Sequence, residues 1–452
     1  MQPPPSTWGE RLASLAVLLF LFGWLLHWAP SGLGNPFSPD DMMNLYGAWD
    51  LDWSQLLPAS LAPWTTIYRP VGAVAYLGLF EIFGWDTYPY RLFCYGLLAV
   101  NAWLVFRLTW ALAGNAVAGF AAGLAAAYHT RLVGLYADTG RIYDVLGATL
   151  SLGCLFVYFG PRTRLRSALA FVLYILAIET KESAAALPVI AIVFDAAARR
   201  RPRWLAGALA AVAAVAMWAK TSPGSALHQH PAYTPELTWA RAVANLSGYG
   251  SQLLYQPNYS VPVLGVVAGG GVLSLLVLVP RPAVRLGASW AVIGLGPLLF
   301  IDERDFGAVY FSFLGLAVLS GGLLALCFER RPICRPWIQV AIVAWLAFVL
   351  AKQHRIDRAR TPAPSAWARS WPDVESFRQE LLGLVPRMAP DAVVRFRSHR
   401  FEQDWMPLFI LKPTYGRRTI HVSIDRVTGE ERAPPDVDYL FEERDGGLRL
   451  VQ

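Results

Sequence analysis

Two adjacent carboxylates, Asp40 and Asp41, follow the first hydrophobic segment of the chain. Residues 11–29 are nearly all apolar, which is long enough to span the roughly 30 Å hydrocarbon core of a bilayer. Both acids are therefore predicted to lie at a membrane–water boundary, where they repel each other and lose hydration. This cost indicates a function. One carboxylate would accept a proton from an attacking hydroxyl group and the other would position it, or the pair would hold a divalent cation.

A structural alternative for the same pair is helix capping. Asp is a favoured N-cap residue, and a helix is predicted to begin near Met42. Capping accounts for one aspartate and leaves the other without a structural reason. We therefore treat Asp40 and Asp41 together as the candidate catalytic residues.

Basic residues at other predicted helix ends are candidates for binding a phosphate group. Arg69, in Tyr68-Arg69-Pro70, offers a bidentate fork, and Lys181, beside Glu182, offers a compact charge. Lysine is rare in this chain, so its position is informative. Simpler alternatives are an arginine that extends its charged end to the interface before a helix-starting proline, and a lone ion pair at a helix end.

Further polar residues at predicted helix ends complete the candidate site. The weaker phosphate-binding candidates are Arg141 and Arg304, and the supporting residues are Tyr68, His129, Asp144, Glu182 and Glu303. Charged turns such as residues 302–305 are most often merely solvated. His228 and His230 have metal-ligand character, but an HxH pair without a third ligand is more often incidental.

The composition is that of a polytopic membrane protein. The chain is 55% hydrophobic and only 16% charged, with a mean hydropathy of +0.38, whereas a soluble domain is nearer a quarter charged. The net charge of +7 falls mostly in short loops between helices, which is typical of an orientation signal and not of nucleic-acid binding. The four cysteines form no CxxC pair, so neither a zinc site nor a disulfide framework is indicated.

Hydrophobic segments predict a mainly α bundle of about eleven membrane spans. They cover roughly residues 11–29, 91–111, 113–128, 143–160, 167–180, 184–198, 204–220, 260–280, 286–301, 308–327 and 336–351. The shorter apolar stretch 70–83 is predicted to be a helix along the outer surface. With this arrangement the arginine-rich loops share one side, which the positive-inside rule assigns to the cytoplasm, and the ionisable candidates share the other.

Two domains are predicted. Residues 1–351 form the membrane domain with an outer first loop at 30–90, and residues 352–452 form a small α/β tail domain. The tail has a helical pattern near 366–386, followed by strand-like segments at 392–396, 419–424 and 448–451. The arginine-rich loops place the amino terminus in the cytoplasm, and the odd number of spans then places the tail outside it. The Arg-, Ala-, Pro- and Gly-rich composition favours a bacterial inner membrane, with the tail in the periplasm.

Four stretches within the first 200 residues carry a resemblance to a known family. They are Ser38–Asp41, Tyr68–Pro70 with Phe83–Arg91, His129–Asp144, and Thr180–Ser183 leading into Leu187-Pro188. In order and spacing they resemble the GT-C superfamily of multi-pass, polyprenyl-phosphate-dependent glycosyltransferases, especially the transmembrane O-mannosyltransferase-like branch, without its TPR repeats. The family's His-Pro step is His129-Thr130 here, and the glutamate expected after it aligns with Val133.

The resemblance implies a catalytic base in the Asp40-Asp41 pair and binding of the lipid phosphate by residues such as Arg69 and Lys181. The predicted function is transfer of a sugar from a polyprenyl-phosphate donor in the membrane to a hydroxyl group of a protein or glycan acceptor outside the cytoplasm. Single displacement with inversion is the expected chemistry. No nucleotide motif is present, and the only cofactor considered is a divalent cation at Asp40 and Asp41.

Two other classes of function remain open from the sequence. One is a non-catalytic GT-C-fold protein that binds lipid-linked sugar or scaffolds a partner, an alternative supported by Val133. The other is a transporter, which should have polar residues and helix breaks near the middle of its spans. The charges here fall at helix ends, which disfavours transport.

Overall fold

The computed structural model describes residues 8–198, 203–223, 225, 228, 233–255, 262–360, 363–371, 373–425, 437–444 and 446–452. The helices of this part of the chain are α1 (Trp8–Trp28), α2 (Pro39–Ala59), α3 (Pro70–Phe83), α4 (Thr87–Ala113), α5 (Ala116–Ala127), α6 (Val133–Ala137), α7 (Ile142–Tyr158), α8 (Arg164–Ile178), α9 (Leu187–Ala197), α10 (Trp204–Thr221), α11 (Trp239–Leu253), α12 (Pro262–Leu278), α13 (Pro282–Leu295), α14 (Tyr310–Phe328), α15 (Pro336–Arg358), α16 (Pro364–Trp367), α17 (Val374–Leu384) and α18 (Met406–Tyr415). The strands are β1 (Val393–Phe396), β2 (His421–Ile424), β3 (Tyr439–Arg444) and β4 (Gly447–Leu450).

All eleven segments predicted as spans are helical. Among the described residues, seven helices are long and apolar enough to cross a membrane, namely α1, α4, α7 with the turn before it, α10, α13 with the turn after it, α14 with the turn before it, and α15. The other four, α5, α8, α9 and α12, contain 12, 15, 11 and 17 residues. The prediction of a mainly α membrane bundle is confirmed, and the chain is an integral membrane protein. The number of helices that cross the bilayer stays a prediction.

Small residues let α4 and α5 pack closely. A Cβ atom added at Gly119 would lie 2.9 Å from the carbonyl oxygen of Phe106, and one added at Gly123 would lie 3.0 Å from that of Ala102. Neither neighbour can move, because both atoms belong to the backbone of α4. This pair of glycines therefore fixes the distance between the two helices.

Helix α2 begins earlier than the sequence indicated, and its cap explains why. The Ser38 side chain accepts a hydrogen bond from the Asp41 backbone N at 2.9 Å, and the Asp41 carboxylate accepts one from the Ser38 backbone N at 2.9 Å. This reciprocal capping box, with Pro39 in the first turn, starts the helix three residues before Met42. The predicted N-cap aspartate is therefore wrong: Ser38 is the cap, and Asp41 is the third residue of the helix.

The tail contains the small α/β fold that was predicted. Its sheet has the order β2-β1-β3-β4, with β1 parallel to both β2 and β3, and β4 antiparallel to β3. Three strands match the predicted segments. The sequence missed β3 and α18, and the helix predicted near 366–386 is in fact two helices, α16 and α17, with a break between them. Helix α15 runs through residue 352 to Arg358, so the predicted domain boundary falls inside a helix.

The tail packs on the 30–90 segment that follows α1. One cluster of buried apolar side chains includes Met42 and Leu45 of α2 together with Phe396 and Phe441 of the sheet. The ring of Phe409 on α18 stacks on Tyr46 of α2 with centroids 4.4 Å apart. The helix that carries Asp40 and Asp41 is therefore held between the membrane bundle and the tail.

Candidate functional site

Asp41 is buried, and both of its carboxylate oxygens accept hydrogen bonds from neighbouring residues. Its side chain is 0% exposed. One oxygen accepts hydrogen bonds from Arg91 Nη2 at 2.9 Å and from the Ser38 backbone N, and the other accepts one from the Tyr76 hydroxyl group at 2.8 Å. A carboxylate with these partners holds α2 against α3 and α4. It cannot reach an aqueous substrate without breaking an ion pair that has no solvent around it.

Asp40, one residue earlier, is exposed. Within the described ranges no hydrogen bond or ion pair occupies its carboxylate. Its Cβ contacts Gly140, where an added Cβ would lie 2.9 Å away, so a glycine is needed for the loop to approach α2. Of the two candidate carboxylates, Asp40 alone is free to accept a proton from a substrate.

Asp138 is a third carboxylate at this position, and the sequence analysis did not single it out. One oxygen accepts hydrogen bonds from the Ser38 hydroxyl group at 2.7 Å and from the Gly140 backbone N at 2.7 Å. Burial, and then the charge of Asp41, raise the pKa of Asp138 to about 7, although Arg91 opposes them. Its only signal in the sequence is that Asp138 precedes Gly140-Arg141 within a stretch that resembles the family.

Arg91 links these groups and was also missed. Its side chain is 1% exposed and lies 3.9 Å from Asp138 as well as 2.9 Å from Asp41. It donates a further hydrogen bond to the Thr139 hydroxyl group at 2.6 Å, and Trp371 of the tail lies over the guanidinium at 5.6 Å. An arginine in the first turns of a predicted span would have been a fair signal, because such a charge needs a partner.

Arg69 and Glu182 bind each other. Arg69 was predicted to bind the donor phosphate, and Glu182 was predicted to be a supporting residue of the site. Arg69 Nε and Nη2 donate to the two Glu182 oxygens at 3.0 and 2.8 Å, and the Tyr68 ring lies 4.3 Å from the guanidinium carbon. Burial opposes ionisation of Glu182, but the Arg69 charge and hydrogen bonds outweigh it and lower the Glu182 pKa to about 2. The structure thus brings the 30–90 segment and the 181–186 turn together through a bidentate pair.

Two further candidates are joined to acids in the same way. Lys181 Nζ lies 3.1 Å from Asp144 of α7, and Arg141 Nη2 lies 2.5 Å from Asp305. Arg141 interacts electrostatically with Asp305, Asp144, Asp138 and Asp40. Loops that are far apart in sequence therefore meet at one end of the bundle, next to Asp40.

Arg304 differs from the other basic candidates because no carboxylate of the described residues pairs with it. Its guanidinium lies over the Tyr233 ring at 5.1 Å, and its backbone N donates to the Tyr249 hydroxyl group at 3.0 Å. Tyr233 also interacts with Tyr68, so the Arg304 and Arg69 sites are adjacent. Glu303 is exposed, and its carboxylate lies beside Gly248 of α11.

His129 is a packed, neutral side chain. Its Nδ1 accepts a hydrogen bond from the Arg131 backbone N at 3.2 Å, its Nε2 lies 3.2 Å from the Leu253 carbonyl oxygen, and its ring stacks on Tyr255 at 4.3 Å. Burial lowers its pKa to about 4. These contacts support a structural role in this loop. His230, the second histidine of the HxH pair, lies outside the described residues.

An apolar groove is lined in part by Tyr249, the residue that bonds the Arg304 backbone. It has a volume of about 420 Å³ and lies between α11, α12, α13 and α14. Tyr249, which bonds the Arg304 backbone, lines it together with Leu246, Gly270 and Phe313. An arginine next to the wall of an apolar groove is an arrangement suited to an amphiphile with an anionic head.

The donor set for a divalent cation is incomplete in the described part of the chain. No group of three or more His, Cys, Asp or Glu side chains that could hold a metal occurs there. Asp41 is already bonded to Arg91, Tyr76 and Ser38, so the pair offers only Asp40 as a ready ligand. These residues do not fit the predicted cation, and no step below depends on one.

Comparison with known proteins identifies the fold. No family model matches the sequence, and no curated protein matches it. Cupriavidus metallidurans ArnT bound to undecaprenyl phosphate has a TM-score of 0.51 and 13% identity, covering 97% of this chain and 94% of ArnT. For ArnT in the apo state the TM-score is 0.50, with 13% identity and coverages of 97% and 93%.

An archaeal structure is similar over a shorter part of its own length. The Archaeoglobus fulgidus oligosaccharyltransferase, in complex with zinc and sulfate, has a TM-score of 0.50 and 11% identity, covering 90% of this chain and 62% of that protein. These relatives have the GT-C fold, so the resemblance predicted from the sequence is confirmed for the fold.

Proposed function

We propose that this protein is a membrane glycosyltransferase that moves a sugar from a polyprenyl-phosphate donor to a hydroxyl group of a protein or glycan acceptor. The observation that carries the proposal is the free carboxylate of Asp40 at the end of the bundle where Arg304 has no carboxylate partner among the described residues and its backbone N bonds Tyr249, a wall residue of an apolar groove. We place this end outside the cytoplasm, in the periplasm of a bacterium, because the opposite loops are rich in arginine.

Asp40 is the proposed catalytic base. It is exposed, whereas Asp41 is buried between Arg91 and Tyr76 and serves to position the first turn of α2. Asp138 lies close to both, and its raised pKa favours its protonated form at low pH. A neutral Asp138 would lessen the negative charge around Asp40, the proposed acceptor of the proton.

The donor is proposed to bind with its tail in the apolar groove and its phosphate at Arg304. Arg69, Lys181 and Arg141 were predicted to bind this phosphate, but each of them is already neutralised by a carboxylate at 3.1 Å or less. Arg304 has its fork available, with Tyr233 beside it. We therefore assign Arg304 the main contact and the three paired residues the surrounding positive potential.

The reaction is then a single displacement. The acceptor oxygen attacks the anomeric carbon as the bond from that carbon to the phosphate oxygen breaks, and its proton passes to Asp40. The polyprenyl phosphate leaves with the bonding electron pair, and Arg304 stabilises the charge that develops on it. Attack opposite to the leaving group inverts the configuration of the sugar.

The test is a transfer assay with purified protein, a polyprenyl-phosphate sugar and a set of hydroxyl acceptors. We expect Asp40→Asn to lower the rate by roughly 10²–10⁴-fold, because it keeps the shape and removes the proton acceptor. Asp50→Asn is the matched control, since Asp50 is an exposed carboxylate on the same helix. Equal rates for Asp40→Asn and wild type would reject the assignment.

A second assay addresses the groove through two adjacent glycines of α12. Gly270 lines the groove and Gly271 does not, and both have open space around an added Cβ. We expect Gly270→Leu to raise the KM for the polyprenyl donor and Gly271→Leu to leave it unchanged. The same KM in both variants would contradict the proposal that the donor binds in the groove.

The non-catalytic alternative makes a different prediction in the same experiments. A protein that only binds lipid-linked sugar would retain donor binding, lost on Arg304→Ala, yet show no transfer with any acceptor. A transporter would move the lipid or the sugar across vesicles without consuming the donor. Binding, transfer and flux measured on one preparation therefore separate the three classes.

A further inference from the structure

A second apolar crevice lies at the opposite end of the bundle from Asp40. It has a volume of about 610 Å³ and is formed by α1, α4, α5 and α15, with Ala13, Ser14, Phe106, Trp110, Val340 and Ala344 among its walls. Helices α1 and α15 are the least buried of the spans, so the crevice opens toward the lipid. Its position makes it independent of the proposed reaction.

Arg107 lies at this crevice inside a span. It is six residues before the end of α4, and it donates a hydrogen bond to the Ser14 hydroxyl group at 3.0 Å. Ser14 is itself a wall of the crevice. Counted along α4, Arg107 is 16 residues from Arg91, which at 1.5 Å per residue is about 24 Å from the acidic site.

The charge of Arg107 lacks an anion within the described residues. No carboxylate forms an ion pair with it there; its contacts are Ser14 and the rings of Trp103 and Trp110, at 5.7 and 5.6 Å from the guanidinium carbon. An arginine within a span is costly unless it reaches an anion or the interface. Two tryptophans beside it are typical of the level of lipid head groups.

We propose that this crevice is a binding site for one anionic glycerophospholipid of the leaflet opposite the active site. An acyl chain fills the space between α1, α5 and α15, and the lipid phosphate accepts hydrogen bonds from the Arg107 fork, with Trp103 and Trp110 on either side. Charge complementarity selects the occupant: the crevice is apolar along its length, and the group at its end is a cation without a counter-charge. The lipid would tie the little-buried helices α1 and α15 to the core helices α4 and α5.

The test is native mass spectrometry of the full-length protein released from nanodiscs that contain phosphatidylglycerol, phosphatidylcholine and undecaprenyl phosphate. We expect one phosphatidylglycerol per protein to survive detergent removal, and Arg107→Ala to reduce that occupancy by roughly tenfold or more. Arg162→Ala is the control, because Arg162 is an exposed arginine of a loop between spans. Retention of phosphatidylcholine or undecaprenyl phosphate at the same level would overturn the proposal.

A second pair of variants tests the acyl-chain part of the site and does not touch the charge. Ala344 lines the crevice, whereas Ala341 is an exposed alanine of the same helix that does not. Ala344→Phe should displace the retained phosphatidylglycerol and Ala341→Phe should not. If Ala344→Phe is folded and keeps the lipid, the lipid lies elsewhere and the proposal fails. If inorganic phosphate displaces the lipid, the Arg107 guanidinium recognises phosphate without the acyl chain, and this result also contradicts the proposal.

Discussion

Asp40 and Asp41 are adjacent in sequence but are expected to respond to the same mutation in opposite ways. Asp41 and Arg91 form a buried pair whose side chains are 0% and 1% exposed, with their nitrogen and oxygen 2.9 Å apart. Changing Asp41 to Asn removes the negative charge and leaves the Arg91 guanidinium buried without a full counter-charge. Breaking such a pair from one side costs about 3–5 kcal/mol.

The exposed neighbour carries no comparable penalty. Asp40 has no side-chain partner within the described residues, and changes at such surface positions usually alter stability by less than about 0.5 kcal/mol. We therefore expect Asp41→Asn to shift the denaturant unfolding midpoint in mixed micelles strongly. Asp40→Asn should leave that midpoint unchanged while it lowers the rate of transfer. Residual activity of the Asp41→Asn protein should follow its folded fraction.

A double variant isolates the reason for the difference. Asp41→Asn with Arg91→Met removes both charges, so it should cost less than the sum of the two single changes, as expected for residues in direct contact. An additive result would mean that the pair does not interact in the folded protein. A wild-type midpoint for Asp41→Asn alone would refute the burial argument itself.

Four further outcomes are expected, three for this site and one for the membrane topology. The Asp138 pKa is raised in the folded protein, so its proton stabilises the fold below about pH 4 and this contribution is lost as the pH rises toward about 7. The unfolding midpoint of Asp138→Asn should therefore change less with pH across that range than the midpoint of the wild type. The Glu182 pKa is lowered, so its contribution is present above its ordinary value near 4.5 and is lost as the pH falls toward about 2; Arg69→Ala should remove this acid-dependent step. Chelation with EDTA should leave the transfer rate unchanged because Asp41 has no free oxygen, and a rate restored only by added Mg²⁺ or Mn²⁺ would contradict this. A reporter fused after Gln452 should be active only outside the cytoplasm, and a cytoplasmic signal there would require an even number of spans.

The sequence predicted the helices of the bundle better than the partners of the site residues. Apolar length identifies a span directly, which is why all eleven segments are helical. It says nothing about which charges pair, because Arg69 meets Glu182 across 113 positions and Arg141 meets Asp305 across 164. Pairings of this kind depend on how the loops pack. Because Arg69 and Lys181 are paired with carboxylates, Arg304 is the proposed main phosphate-binding residue in their place.

Local chemistry accounts for the other differences. Ser38-Pro39-Asp40-Asp41 contains a capping box, in which the side chains at the first and fourth positions bond each other's backbone. The prediction missed it because it started the helix near Met42, after the box. In the tail, β3 (Tyr439–Arg444) mixes aromatic and charged residues and pairs with both β1 and β4. Its hydrogen-bonding neighbours, and not its own composition, make it a strand.

The apolar cluster shared by the first outer loop and the tail constrains the order of biosynthesis. Phe37 and Met42 belong to one buried cluster with Phe441, which the ribosome adds about 400 residues later. At roughly 5–20 residues per second, that interval is about 20–80 s. During this time α2 must expose its apolar face to the interface or to a chaperone. Truncations that lack the sheet should therefore accumulate as membrane-inserted but protease-sensitive chains, with cleavage concentrated in the first outer loop.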